Sequence, residues 1–89
     1  MKKMANIEKL VNFLDRGFSE DGGIYTMEYK NSLFEYDLLE EKLTIIDDEQ
    51  IGNITTVYTN VDTLEKLILR LNHVSLLKYG DYIVDTSSL

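Results

Sequence analysis

Hydrophobic positions change their period twice along this chain. Ile7, Leu10, Val11 and Leu14 fall at i, i+3, i+4 and i+7, which predicts an amphipathic helix. Asn6 before them is a good N-cap. Gly17 stands where a left-handed residue closes a helix, with Phe18 placed to touch Phe13 across the turn. Ser19-Glu20-Asp21-Gly22-Gly23 then reads as a loop, its two glycines free to take positive φ.

From Ile24 the period is 2. Tyr25, Met27 and Tyr29 alternate with Ile24, Thr26 and Glu28 in a first strand. After a tight turn at Lys30-Asn31, Phe34, Tyr36 and Leu38 alternate with Glu35 and Asp37 in a second. Leu43-Thr44-Ile45-Ile46 predicts a third strand. Beyond Asp47-Asp48-Glu49-Gln50 and the turn signal Gly52-Asn53, Ile54 to Thr59 predicts a fourth. Connections this short imply an antiparallel meander, because a parallel pair needs a crossover of about a dozen residues or more.

The helical period then returns. Asp62 and Glu65 have capping-box spacing, and Leu64, Leu67, Ile68 and Leu71 form the apolar stripe. The favoured end of this helix is near His73. Tyr79-Gly80-Asp81-Tyr82 then becomes a hairpin and Tyr82-Ile83-Val84 a short last strand; the alternative is a helix running on through Val74 and Leu77 to Gly80. Two amphipathic helices and a one-sided sheet bury their faces only against each other. The expected fold is therefore α+β, a two-layer sandwich of a 3–4 stranded antiparallel meander and two helices.

Composition narrows what such a fold can do. With 89 residues and no Pro-, Gly- or Ser-rich linker, one domain spanning 1–89 is expected, frayed at 1–5 and 86–89. There is no cysteine, hence no disulfide, thiolate zinc site or cysteine nucleophile. The basic start Met1-Lys2-Lys3-Met4 is followed by a stretch broken by Asn6, Glu8, Lys9 and Asn12. Export and membrane insertion are therefore not expected, and cytoplasmic residence is.

Catalysis has little to work with. His73 is the only imidazole, and none of the serines lies in a nucleophile-elbow sequence. Gly22-Gly23 precedes a strand, so it is neither a phosphate loop nor a dinucleotide fingerprint. Asp47-Asp48-Glu49 lacks the alternating ligands and central glycine of a calcium loop. The chain reads as a non-enzyme without metal or cofactor.

Charge is the informative property. The net charge is −7, but residues 20–49 carry ten acidic side chains against Lys30 and Lys42, whereas residues 1–19 carry a basic excess. Folding does not require carboxylates to crowd on a sheet, where they repel. A field of this sign attracts a basic surface and disfavours direct binding to nucleic acid. Alternate strand residues lie roughly 6.5–7 Å apart, about the spacing of successive phosphates along a nucleic-acid strand. The candidate partner-binding residues are Glu28, Glu35, Asp37, Glu40, Glu41, Asp47, Asp48 and Glu49, with Tyr29 and Tyr36 as aromatic anchors.

The small size, the αβββα order, the lack of a catalytic constellation and the acidic sheet together resemble small phage-encoded inhibitors, in particular acidic anti-CRISPR proteins and DNA-mimic anti-restriction proteins. The resemblance implies a protein that occupies the basic DNA-entry or PAM-reading surface of a phage-defence nuclease. Two other readings stand beside it. One is a homo-oligomeric assembly or regulatory protein, in the simplest case a homodimer; the other is an immunity or antitoxin protein that neutralises a basic toxin.

Overall fold

The computed structural model describes the backbone of residues 2–49 and 52–84, and the side chains of residues 7–47 and 55–84. The chain is an α+β protein with the order α1 (Lys2–Gly17), β1 (Ser19–Asp21), β2 (Ile24–Tyr29), β3 (Ser32–Asp37), β4 (Lys42–Glu49), β5 (Gly52–Tyr58) and α2 (Leu64–Tyr79). The strands form one antiparallel sheet in sequence order, β1-β2-β3-β4-β5.

The alternation sorts the side chains to two faces. Tyr25, Phe34, Tyr36, Leu43 and Ile45 are buried against Leu10 and Leu14 of α1 and Leu67 and Leu71 of α2, with Phe18 and Val61 completing the cluster. Each such side chain removed from water contributes roughly 1.5–3 kcal/mol. Both helices cover this one face and leave the other open.

Several element boundaries differ from expectation. α1 begins at Lys2 rather than after an Asn6 cap, because Lys2–Ala5 are good helix formers with no breaker among them. Gly17 ends the helix without a left-handed φ; the turn is closed by the Phe18 N–H donating to the Leu14 carbonyl at 2.8 Å. The Phe13–Phe18 contact forms as expected, with ring centroids 6.2 Å apart. Ser19–Asp21 is a strand and not a loop, which makes the sheet five-stranded. Pairing with Ile24–Thr26 overrides the poor strand propensity of Ser-Glu-Asp. The connection shrinks to Gly22-Gly23, with φ of 62° and 87°, the geometry of a two-residue hairpin turn. β4 reaches Glu49 and β5 starts at Gly52, so most of the expected acidic loop is strand.

α2 also differs at both ends. Its N-cap is Thr63, whose hydroxyl accepts from the Lys66 N–H at 3.1 Å, while Asp62 ion-pairs with Lys66 at 2.8 Å. It continues past His73 to Tyr79 and closes on Gly80 at φ 73°, whose N–H donates to the Leu76 carbonyl at 3.0 Å. The alternative reading of its length was therefore right. Residues 82–84 form no strand; Asn72, buried on α2, holds Ile83 and Val84 instead. The expected tail at 86–89 lies outside the described residues.

Tyr36 fastens the loop before α2 to the sheet. It is fully buried and its hydroxyl donates to the Val61 carbonyl. Burial, aided by the charges of Glu41, Asp62 and Asp37, pushes the phenol from 10.0 up to about 12. The neutral form is thus favoured in the folded state. Its contribution is intact below pH 10 and is lost as pH rises through about 12. Tyr36→Phe is expected to cost roughly 1–1.5 kcal/mol at neutral pH through the lost hydrogen bond. The variant should also lose about 2–3 kcal/mol of the wild-type decline in stability across that alkaline window, read as the difference between urea unfolding curves.

Candidate protein-binding face of the sheet

Register decides which acidic side chains meet. Residues paired across strands share a face, and the open face carries three rows. Thr26, Glu35, Thr44 and Val57 make the middle row, with Ser19 joining it from β1. Ile24, Asp37 and Lys42 flank it on one side, with Asp21 paired to Ile24. Glu28, Leu33, Ile46 and Thr55 flank it on the other.

Three of the proposed partner-binding acids are therefore brought together, namely Glu28, Glu35 and Asp37, and Asp21 extends the group. Glu35 occupies the middle of the face on the central strand. Glu28 lies diagonal to it, one strand away, a distance of roughly 7–8 Å. Among the described residues no lysine, arginine or histidine makes an ion pair with Glu28, Glu35 or Asp37. Lys42 is the one described cation of the face and sits opposite Asp37 in register. Between the charges lie Ile24, Leu33 and Ile46, half-buried, and Val57, half-exposed. Carboxylates around apolar side chains on an uncovered sheet are what a basic surface with apolar anchors requires.

Asp37 has a second task. Its Oδ1 accepts from the Leu39 and Glu40 backbone N–H groups, both at 3.1 Å, and so shapes the β3–β4 turn. Glu40 is exposed on that turn, and Leu39 beside it is 91% exposed. Glu41 closes the turn in a left-handed conformation, φ 56°, and its carbonyl accepts from the Val61 N–H at 2.8 Å.

The remaining proposed residues do not belong to this face. Asp47 pairs in register with Ser32 on the helix-covered side and is buried. Its Oδ1 accepts from the Ser32 hydroxyl, and its Oδ2 lies 3.0 Å from Lys78 Nζ of α2. The Ser32 and Tyr79 hydroxyls are 2.7 Å apart, and Tyr79 also accepts from the Asn31 N–H at 3.2 Å. Asp47 is therefore a structural pin between sheet and helix. Tyr36 is core. Tyr29 turns to the helix side, edge-on to Tyr79 at 5.8 Å, with Lys30 Nζ 5.4 Å from its ring centroid. Neither tyrosine can anchor a partner on the acidic face. Asp48 and Glu49 pair in register with Asn53 and Gly52, and their side chains lie outside the described ones.

His73 lies exposed in the interior of α2, not at its end. Among the described residues no group of three His, Cys, Asp or Glu side chains converges to hold a metal ion, and no helix is long and apolar enough to cross a membrane. Comparison with protein-family models, curated proteins and solved structures finds no match for this chain.

Proposed function

We propose that this chain is a non-enzymatic protein-binding inhibitor whose open sheet face occupies a basic, nucleic-acid-handling surface of its partner, such as the DNA channel of a phage-defence nuclease. The observation that carries the reading is the pair Glu28 and Glu35, carboxylates without an ion-pair partner among the described residues, beside Leu33 and Ile46 on a sheet face that no helix covers. An ordinary solvated face gains nothing from that juxtaposition. A basic partner gains both terms, charge complementarity during encounter and apolar contact once docked. Glu40, whose N–H donates to Asp37, adds an exposed carboxylate on the β3–β4 turn next to this face.

The test adds the purified chain to DNA cleavage by RNA-guided nucleases and by a panel of restriction endonucleases. At least one enzyme is expected to lose cleavage in a titratable manner, with the effect weakening as ionic strength rises. Glu28→Lys combined with Glu35→Lys should weaken that inhibition by roughly tenfold or more, a change of about 1.4 kcal/mol or more. Asp37 is left intact because it builds the turn. Full cleavage across the panel, or a double variant as inhibitory as the wild type, overturns the reading.

A further inference from the structure

The two edges of the sheet are built differently. β1 is three residues long and contains Glu20 and Asp21, so it is short and charged, two of the devices that keep an edge from pairing with another chain. β5 is the opposite edge and has neither. Gly52–Tyr58 reads Gly-Asn-Ile-Thr-Thr-Val-Tyr, without a charge or a proline. It pairs with β4 through consecutive one-to-one partners from Glu49↔Gly52 to Leu43↔Tyr58, so no bulge turns it away. Every second residue of an antiparallel strand directs its N–H and C=O away from its neighbour. Among the described residues, no backbone hydrogen bond outside the sheet ladders reaches β5 to satisfy them.

We propose that β5 is a self-association edge, on which β5 of a second copy of this chain adds antiparallel about a two-fold axis to make one ten-stranded sheet. A two-fold perpendicular to the sheet keeps both pairs of helices on one side, so residues facing each other across it must share a face. Centring the axis on Thr55 satisfies this and pairs the whole strand: Thr55 with its own copy, Ile54 with Thr56, Asn53 with Val57, and Gly52 with Tyr58. In such an isologous pair any charge on the strand would meet charges of its own sign near the axis. β5 carries no charge, so a second copy meets no such repulsion on this edge. The joined sheet also makes the two acidic faces continuous. The proposal does not depend on the inhibitor reading, because it rests on the backbone edge of β5, whereas that reading rests on Glu28 of β2 and Glu35 of β3; Thr55 and Val57 border both.

Sedimentation equilibrium over micromolar to submillimolar concentrations tests it. The mass should rise from 10.3 kDa toward twice that value with concentration. The dimer should tighten with salt, because two chains of net charge −7 repel, the opposite of the salt effect on binding a basic partner. Thr55→Lys combined with Val57→Lys places lysines on the solvent side of β5 and should weaken dimerisation by roughly tenfold or more. Should that variant not fold, hydrogen exchange on the wild type decides, with protection of the outward amides within Thr55–Tyr58 growing with protein concentration. A mass of 10.3 kDa throughout overturns the proposal, as does exchange independent of concentration. So does a dimer that survives in the folded β5 variant but is lost on Leu69→Glu with Leu77→Glu, which would assign the contact to the exposed leucines of α2.

Discussion

Asp47→Ala is expected to lower stability by roughly 2–3 kcal/mol, a large share of what a domain this small has to spare. The Asp47 side chain is 11% exposed and holds two partners from different elements, the Ser32 hydroxyl on β3 and Lys78 on α2. Removing one member of a fully buried pair costs about 3–5 kcal/mol because the other charge is stranded. Here the Lys78 side chain is 29% exposed and can turn toward water, and Ser32 keeps its contact with the Tyr79 hydroxyl, so the lower figure applies. Asp47→Asn should fall between, since it keeps an acceptor for Ser32 and loses only the charge facing Lys78. Urea unfolding monitored by circular dichroism gives both values, with the midpoint moving and the slope unchanged. The folded Asp47→Asn protein should inhibit as the wild type does, whereas the Glu28 and Glu35 variants should fold as the wild type and inhibit less. Equal stability of Asp47→Ala and wild type would mean that Asp47 does not pin α2 to the sheet.

The contrast between Asp47 and Glu35 also explains which parts of the site are legible in the chain. Alternation in β2 and β3 is unambiguous: Tyr25, Met27 and Tyr29 share one side, Phe34 and Tyr36 the same side after the turn, and Glu28, Glu35 and Asp37 the other. That pleat already forbids Tyr29 and Tyr36 from joining the acids as anchors, because neighbours along a strand point to opposite faces. In β4 the signal fails. Ile45 and Ile46 are adjacent and both apolar, so parity alone does not say whether Asp47 follows Ile45 inward or lies outward. Its partner Ser32 is 15 positions away and Lys78 lies on another helix, which no local pattern reports. The strand β1 is hidden for a similar reason, since Ser-Glu-Asp becomes strand only through the neighbour that pairs with it.

Asn72 is the clearest case of a long-range role hidden behind a local one, and its replacement is the second large effect expected. By itself an asparagine late in an apolar stripe suggests a helix end. In the fold its side chain substitutes for a neighbouring strand: Oδ1 accepts from the Ile83 and Val84 N–H groups, and Nδ2 donates to the Val84 carbonyl, each at 2.9 Å. Ile83 and Val84 thereby pack against the core cluster. Asn72→Ala removes three hydrogen bonds to half-buried groups, a loss of roughly 2–3 kcal/mol at about 1 kcal/mol each if the segment stays in place. Because residues 83–84 are peripheral, the chain can instead release them, so the global loss cannot exceed what their packing contributes. Hydrogen exchange separates the two responses. Amides of Ile83 and Val84 should lose protection, while those of Phe34 and Ile45 slow or quicken only with global stability. Asn72→Asp should be intermediate, because it retains the acceptor for both N–H groups and sets a carboxylate against the Val84 carbonyl. If Ile83 and Val84 exchange in Asn72→Ala as they do in the wild type, the clamp contributes nothing, and apolar packing alone keeps the C-terminal segment on α2.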